Sequence, residues 1–303
     1  MKNKITLLTL TLTLLVSFAN AQEWEFGLFV GPAQYQGDLS KSQVTWKYTR
    51  IQGGVLARYN LTPHISFKFA GNYGTVKGDD KAWGSKLPTT FKMTDYGKNN
   101  GISKEANYYD RNKRNLNFRS SIIEATAQVE YNILNFIPGS KSHRWTPYLL
   151  AGISVFRFNP KTDLNGTTYK LRGYQTELNK PKYSLISFAI PTGFGIKYNF
   201  GNLWSIGFEI AGRKTFTDYL DDVHDNYPMI DPANPTANQL ADRSGEAINP
   251  ATKTNYPQFG IMQKPYSHDE KKLQRGDYRD KDTYIFTGFT ITKTIRKFVC
   301  ANF

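Results

Sequence analysis

The sequence predicts an all-β fold, an eight-stranded antiparallel transmembrane β-barrel with long loops at one end and short turns at the other, on three observations. First, residues 187–222 read as two runs of strict alternation joined by the turn Asn199-Phe200-Gly201-Asn202. One face holds Phe188, Ile190, Thr192, Phe194, Ile196, Tyr198 and Phe200, then Trp204, Ile206, Phe208 and Ile210; the other holds small and polar residues. A soluble antiparallel sheet with one wet face would alternate in the same way. Second, Lys2 and Lys4, an apolar run over 5–18 and Ala19-Asn20-Ala21 form a secretory signal peptide over 1–21, leaving 22–303 as the barrel. Beyond it no apolar run approaches the roughly 20 residues of a membrane helix, so a membrane span has to be made of strands. Third, connections after strands one, three, five and seven are long and those after two, four and six shorter, an asymmetry that a soluble sandwich has no reason to show.

The elements follow in order. Strand one covers 23–35, with Trp24, Phe26, Leu28 and Val30 opposite Glu23, Glu25, Gly27 and Phe29, and Gly31-Pro32 is expected to break its far end. Strand two (51–61) sets Ile51, Val55, Ala57, Tyr59 and Leu61 against Gln52, Arg58 and Asn60. After Thr62-Pro63, strand three (64–76) sets Ile65, Phe67, Phe69 and Tyr73 against Ser66, Lys68 and Asn72. A polar loop spans about 77–116. Strand four (117–132) alternates Ile123, Ala125, Ala127, Val129 and Tyr131 with Glu124, Thr126, Gln128 and Glu130. Strand five (146–158) leaves its register open, because Tyr148, Leu150, Phe156 and Phe158 or Leu149, Ala151, Ile153 and Val155 could face lipid. A polar loop with an Asn165-Gly166 turn leads to the hairpin of strands six and seven, and the largest insertion runs over 217–281. Strand eight (282–295) carries Tyr284, Phe286, Phe289 and Ile291, again with two possible registers.

The polar strand faces gather Arg58, Lys68, Glu124, Glu130, Lys197, Glu209 and Arg213, with both signs present. An eight-stranded barrel is just wide enough for side chains to fill, and unpaired buried charge is costly, so these residues are expected to pair and plug the lumen. The net charge of +14 would suit nucleic acid in a cytosolic protein. Export argues against that partner; basic strand ends suit anionic lipid head groups and lipopolysaccharide, and a solvated basic surface would look the same. With Cys300 as the single cysteine, no intrachain disulfide or cysteine metal site can form.

Asp218, Asp221, Asp222 and Asp225 crowd around His224, and Asp222-Val223-His224 resembles the Asp-x-His of omptin-type barrel proteases, with Asp79-Asp80 as further carboxylates. The spacing match is weak, and a solvated strand-end turn capped by aspartates is the preferred reading. Neither a catalytic set, a metal-ligand spacing nor a cofactor motif is assigned.

The run 209–223, EIAGRKTFTDYLDDV, is similar to the signature around the seventh strand of PorG-like barrels of the type IX secretion system. Trp24-Glu25-Phe26-Gly27 with Tyr35-Gln36-Gly37-Asp38-Leu39 resembles that family's first strand. Pro147-Tyr148-Leu149-Leu150-Ala151-Gly152 with Phe156-Arg157-Phe158-Asn159-Pro160 resembles its fifth. The resemblance implies an outer-membrane barrel, without catalytic residues, that docks periplasmic lipoprotein and ring subunits of the secretion machine. Expected contact residues are Lys141 in the connection 133–145 and Arg296, Lys297 and Phe298 in the tail. The competing class is a membrane enzyme of the omptin kind or a small porin-like or structural barrel.

Overall fold

The computed structural model describes residues 23–40, 46–80, 114–178, 180, 182–201, 203–229, 231–246, 275–276 and 280–295. The expected signal peptide over 1–21, most of the expected loop over 77–116, much of 247–279 and the tail residues Arg296, Lys297 and Phe298 lie outside them. Among the described residues no helix is long and apolar enough to cross a membrane.

Eight strands close into an antiparallel barrel: β1 (Glu23–Gln36), β2 (Arg50–Asn60), β3 (Ile65–Asp79), β4 (Asn117–Asn132), β5 (Trp145–Arg157), β8 (Ile186–Phe200), β9 (Trp204–Thr215) and β10 (Thr283–Ile295). Each pairs with its neighbour in the chain order, and the β1–β10 ladder completes the cylinder. Closure leaves no barrel edge, which is what lets a sheet sit in lipid with its backbone groups satisfied. Outward positions form an apolar band that includes Leu28, Val55, Phe69, Ile123, Ile153 and Phe194, all exposed. Trp24, Tyr59, Tyr131, Trp145, Tyr198 and Trp204 ring the end that carries the short connections, the interfacial aromatic girdle of membrane barrels.

The barrel resolves both open registers. In β5, Tyr148, Leu150 and Phe156 point inward and Leu149, Ile153 and Val155 outward. In β10 the expected set splits: Tyr284 and Phe286 are buried in the lumen, whereas Phe289 and Ile291 face out. Residues two apart share a face, so one parity had to be inward, and side-chain bulk alone could not tell which.

Gly31-Pro32 does not end strand one. β1 runs on to Gln36, and its register with β10 is the same before and after the pair, Val30 opposite Phe289 and Ala33 opposite Phe286. Proline lacks a donor, and the ladder is simply open for two residues there. The backbones also crowd: a Cβ on Gly288 would meet the Val30 carbonyl oxygen at 2.4 Å.

The segment expected as a loop after strand five contains a hairpin, β6 (Pro160–Leu164) and β7 (Thr167–Lys170), which extends β4 beyond the barrel. Asn165 and Gly166 both take positive φ (50° and 79°), the two-residue turn that this dipeptide favours. In the insertion over 217–281 a short helix, α1 (Pro235–Ala241), starts with Asn234 accepting from the Ala237 amide and proline in its first turn.

Candidate functional site

The lumen is filled by two polar layers. The first draws one side chain from each of the eight barrel strands: Glu25, Arg58, Lys68, Glu130, Tyr148, Lys197, Glu209 and Thr292. Strand alternation aims all of them inward. Arg58 reaches Glu25 at 2.9 Å and Glu130 at 2.9 Å. Lys197 donates to Glu130 at 2.9 Å, and Lys68 donates to Glu209 while standing 3.5 Å from Glu130. Tyr148 donates to Glu209 at 2.9 Å and Thr292 to Glu25 at 2.7 Å. The second layer, nearer the long loops, centres on Glu124, which accepts from Asn72 (2.9 Å), Arg213 (3.3 Å) and Tyr284. Arg213 is sandwiched against the Phe286 ring, 4.5 Å from its centroid.

All seven charges expected in the lumen are thus inside it. The pairing differs from sequence proximity: Arg58 meets Glu130 and Glu25, and Arg213 meets Glu124. Glu25, Tyr148 and Tyr284 complete the layers. Glu25 could have been read from its place opposite Trp24 and Phe26; the two tyrosines could not, since they lie on the strands whose register the sequence leaves open. The layers hold four carboxylates (Glu25, Glu124, Glu130, Glu209) and four cations (Arg58, Lys68, Lys197, Arg213), an electroneutral set. Between them a cavity of about 10 Å³, room for about one water, is lined by Phe29, Leu56, Thr126 and Gln128 among others.

Both mouths are closed. At the short-connection end Phe136 is buried, and Lys197 Nζ lies 4.9 Å from its ring centroid. Its connection is pinned by the Phe136 amide on the Pro63 carbonyl (3.1 Å) and the Gly139 amide on Asn199 (3.0 Å). At the other end Phe118, Ile122, Phe156, Phe158 and Tyr183 pack with Leu220 and Val223 from the insertion. Above them Arg114 pairs with Asp80, Lys180 with Asp222, and Arg275 with Glu177 at 3.0 Å.

The expected Asp222–His224 pair does not form. Asp222, at φ 71°, turns its carboxylate to Thr176, Lys180 and Tyr183. His224 is instead bonded to Asp218, which raises the imidazole pKa above its usual range. Asp80 is engaged by Arg114 rather than turned to His224. Among the described residues no group of acidic, His or Cys side chains is arranged to hold a metal.

Tyr35 places its hydroxyl 2.6 Å from Asp221 and 2.8 Å from Asp282. The hydroxyl is shared as donor between the two carboxyls, so Tyr35 bridges them. Burial pushes both carboxyls well up, and neighbouring carboxylates, Asp38 for Asp221 and Asp221 for Asp282, push further.

A family model described as a domain of unknown function, DUF6089, matches residues 4–104 and 88–234. The chain belongs to the DUF6089 family. No curated protein matches this DUF6089 chain. Among solved structures it is similar to the N-terminal β-barrel domain of Pseudomonas aeruginosa OprF (9% identity, 91% of this chain and 98% of that one, TM-score 0.34). It is also similar to Neisserial surface protein A (10%, 89% and 96%, TM-score 0.38) and to Ail of Yersinia pestis (7%, 90% and 99%, TM-score 0.37). The fold of this DUF6089 member is an outer-membrane-type eight-stranded barrel, and it rests on the chain's own closed ladder and lipid-facing band.

Proposed function

We propose that this chain sits in the bacterial outer membrane, short connections toward the periplasm, and docks periplasmic lipoprotein and ring subunits of a type IX secretion system. The observation that carries the reading is the solid lumen: a barrel filled by paired charges and capped at both mouths offers its surfaces, not a passage. Its role on this reading is structural rather than catalytic. The similarity of 209–223 to the PorG-like signature supports the choice of machine. On the periplasmic side, the connection 133–144 exposes Ile133, Leu134 and Ile137 beside Lys141, His143 and Arg144, while Phe136 beneath holds it folded. That combination of apolar and cationic groups on a fixed backbone suits a protein partner. Arg296, Lys297 and Phe298 in the tail are the second contact proposed.

The test joins gene deletion, read as protein secretion, to crosslinking from Lys141→Cys and Lys297→Cys in a Cys300→Ser background. Loss of secretion on deletion, with periplasmic subunits crosslinked to either cysteine, is the expected result. Normal secretion with no such crosslinks overturns the docking role.

A further inference from the structure

The outward face of β3, β4, β6 and β7 carries four cations in one row. Lys77 is directly opposite Arg119, Arg119 opposite Lys161, and Lys161 opposite Lys170. Like charges placed directly across a ladder repel and cost stability, so a row of four runs against sheet formation unless something anionic covers it. The row is built, not frayed: Arg119 Nη1 lies 3.1 Å from Asp163, and Arg119 Nη2 donates to Thr168 at 2.9 Å, which fixes the guanidinium. Lys77 and Lys47 flank the Tyr48 ring at 5.7 and 5.6 Å. Among the described residues, Asp163, forked by Arg119, and Asp79, at the Tyr48 hydroxyl, are the acids beside these five cations.

Its height is the second observation. Below the row the same two strands pair Thr75 with Ser121, then Tyr73 with Ile123, and continue as apolar lipid-facing pairs to Ile65 and Tyr131. From Ile65 to Lys77, at about 3.4 Å per residue and about 40° of tilt, the climb is about 31 Å, the thickness of a hydrocarbon core. The cations therefore stand at head-group level, on the side of the sheet that lipid covers, at the long-loop end. Acyl chains would lie on Tyr73 and Ile123, both exposed.

From this placement we infer that the row is a binding surface for a membrane lipid whose head group carries more than one phosphate, in the leaflet at the long-loop end. The spread over four strands exceeds one phosphate and fits two separated ones, with the lysines as point charges and Arg119, whose fork Asp163 already holds, adding its charge between them. The inference rests on the outer-membrane reading, which makes that leaflet the outer one.

The test uses the full chain refolded into detergent and into phosphatidylcholine vesicles. Bisphosphorylated lipid A, the same lipid with both phosphates removed, and inorganic pyrophosphate are titrated. The parent should bind the bisphosphorylated lipid at least tenfold more tightly than the dephosphorylated one, with affinity falling as salt rises. A Lys77→Gln, Arg119→Gln, Lys161→Gln, Lys170→Gln variant, checked for the heat-shifted mobility of a folded barrel, should lose that preference. Lys293→Gln at the opposite rim should keep it. If the fourfold variant does not fold, Lys77→Gln with Lys161→Gln reads the same preference and should weaken it several-fold. Equal binding of the two lipids by the parent, parent-like binding by a folded row variant, or displacement by pyrophosphate at equal concentration overturns the inference. A parent that never inserts into vesicles overturns the membrane reading beneath it instead.

Discussion

Glu130 concentrates the lumen's electrostatics, because Arg58, Lys68 and Lys197 converge on one carboxylate with no measurable exposure. Removing one member of a buried pair leaves its partner charged and dry, at a cost of about 3–5 kcal/mol. Glu130→Gln should therefore lower the unfolding free energy of the vesicle-inserted barrel by an amount of that order, seen as a lower urea midpoint. Pairing it with Lys197→Met, which deletes one orphaned cation and keeps the stem against Phe136 and Tyr148, should recover part of the loss. A parent-like midpoint for Glu130→Gln would remove the ion pairs from the account of stability. The sequence made these charges visible through parity alone: a Glu between Val129 and Tyr131, or a Lys between Ile196 and Tyr198, has to face the other way. It could not show which charge meets which, because the partners stand up to 141 residues apart, as Lys68 and Glu209 do. Arg275 and Glu177, 98 residues apart in the loops, carry no periodicity at all and were illegible for the same reason.

At the scale of elements, the barrel closes where β1 meets β10, and that seam contains Gly31, Pro32 and Gly288 within its unpaired step. Both glycines are there for proximity rather than for dihedral freedom: a Cβ on Gly31 would meet the Thr287 carbonyl oxygen at 2.2 Å. Gly288→Val should block closure and abolish the heat-shifted mobility of the folded barrel, whereas Gly212→Val, at a site with open space, should not. Equal folding of the two variants would show that the seam tolerates bulk. All eight barrel strands were legible, with ends within a few residues, because each sets an apolar outer face against a polar inner face over more than ten residues. The β6–β7 hairpin was not, since its strands are too short to show a period, its inner face mixes Thr162 with Leu164 and Tyr169, and only the Asn165-Gly166 turn announced it. For α1 the Asn234-Pro235 start was a usable signal, but the single buried turn of Ala237, Leu240 and Ala241 is too short to read as a period.

For the molecule as a whole, the two charged layers and the two closed mouths stand in series. Reconstituted into a planar bilayer, the unmodified protein should show no large steady conductance. Phe136→Ala alone should not create one, because the layer of Glu25, Arg58, Lys68, Glu130, Lys197 and Glu209 remains intact behind it. A stable open channel in the parent would overturn the plugged lumen, and one in Phe136→Ala would place the whole barrier at the short-connection mouth.

The layer that takes one side chain from every strand also has a consequence for assembly. Thr292 reaches Glu25 only when the last strand has met the first, and Glu25 shares its carboxylate between that hydroxyl, Asn60 and Arg58. An open curl of six or seven strands would hold ions facing a gap, where lipid could neither hydrate nor pair them. A one-step slip at the seam would turn Thr292 outward and bring a lipid-facing neighbour toward Glu25. Completion is therefore close to all-or-none: half-built barrels are penalised by the same charges that stabilise finished ones, and the charge pattern proofreads both the number of strands and their register before the cylinder is sealed.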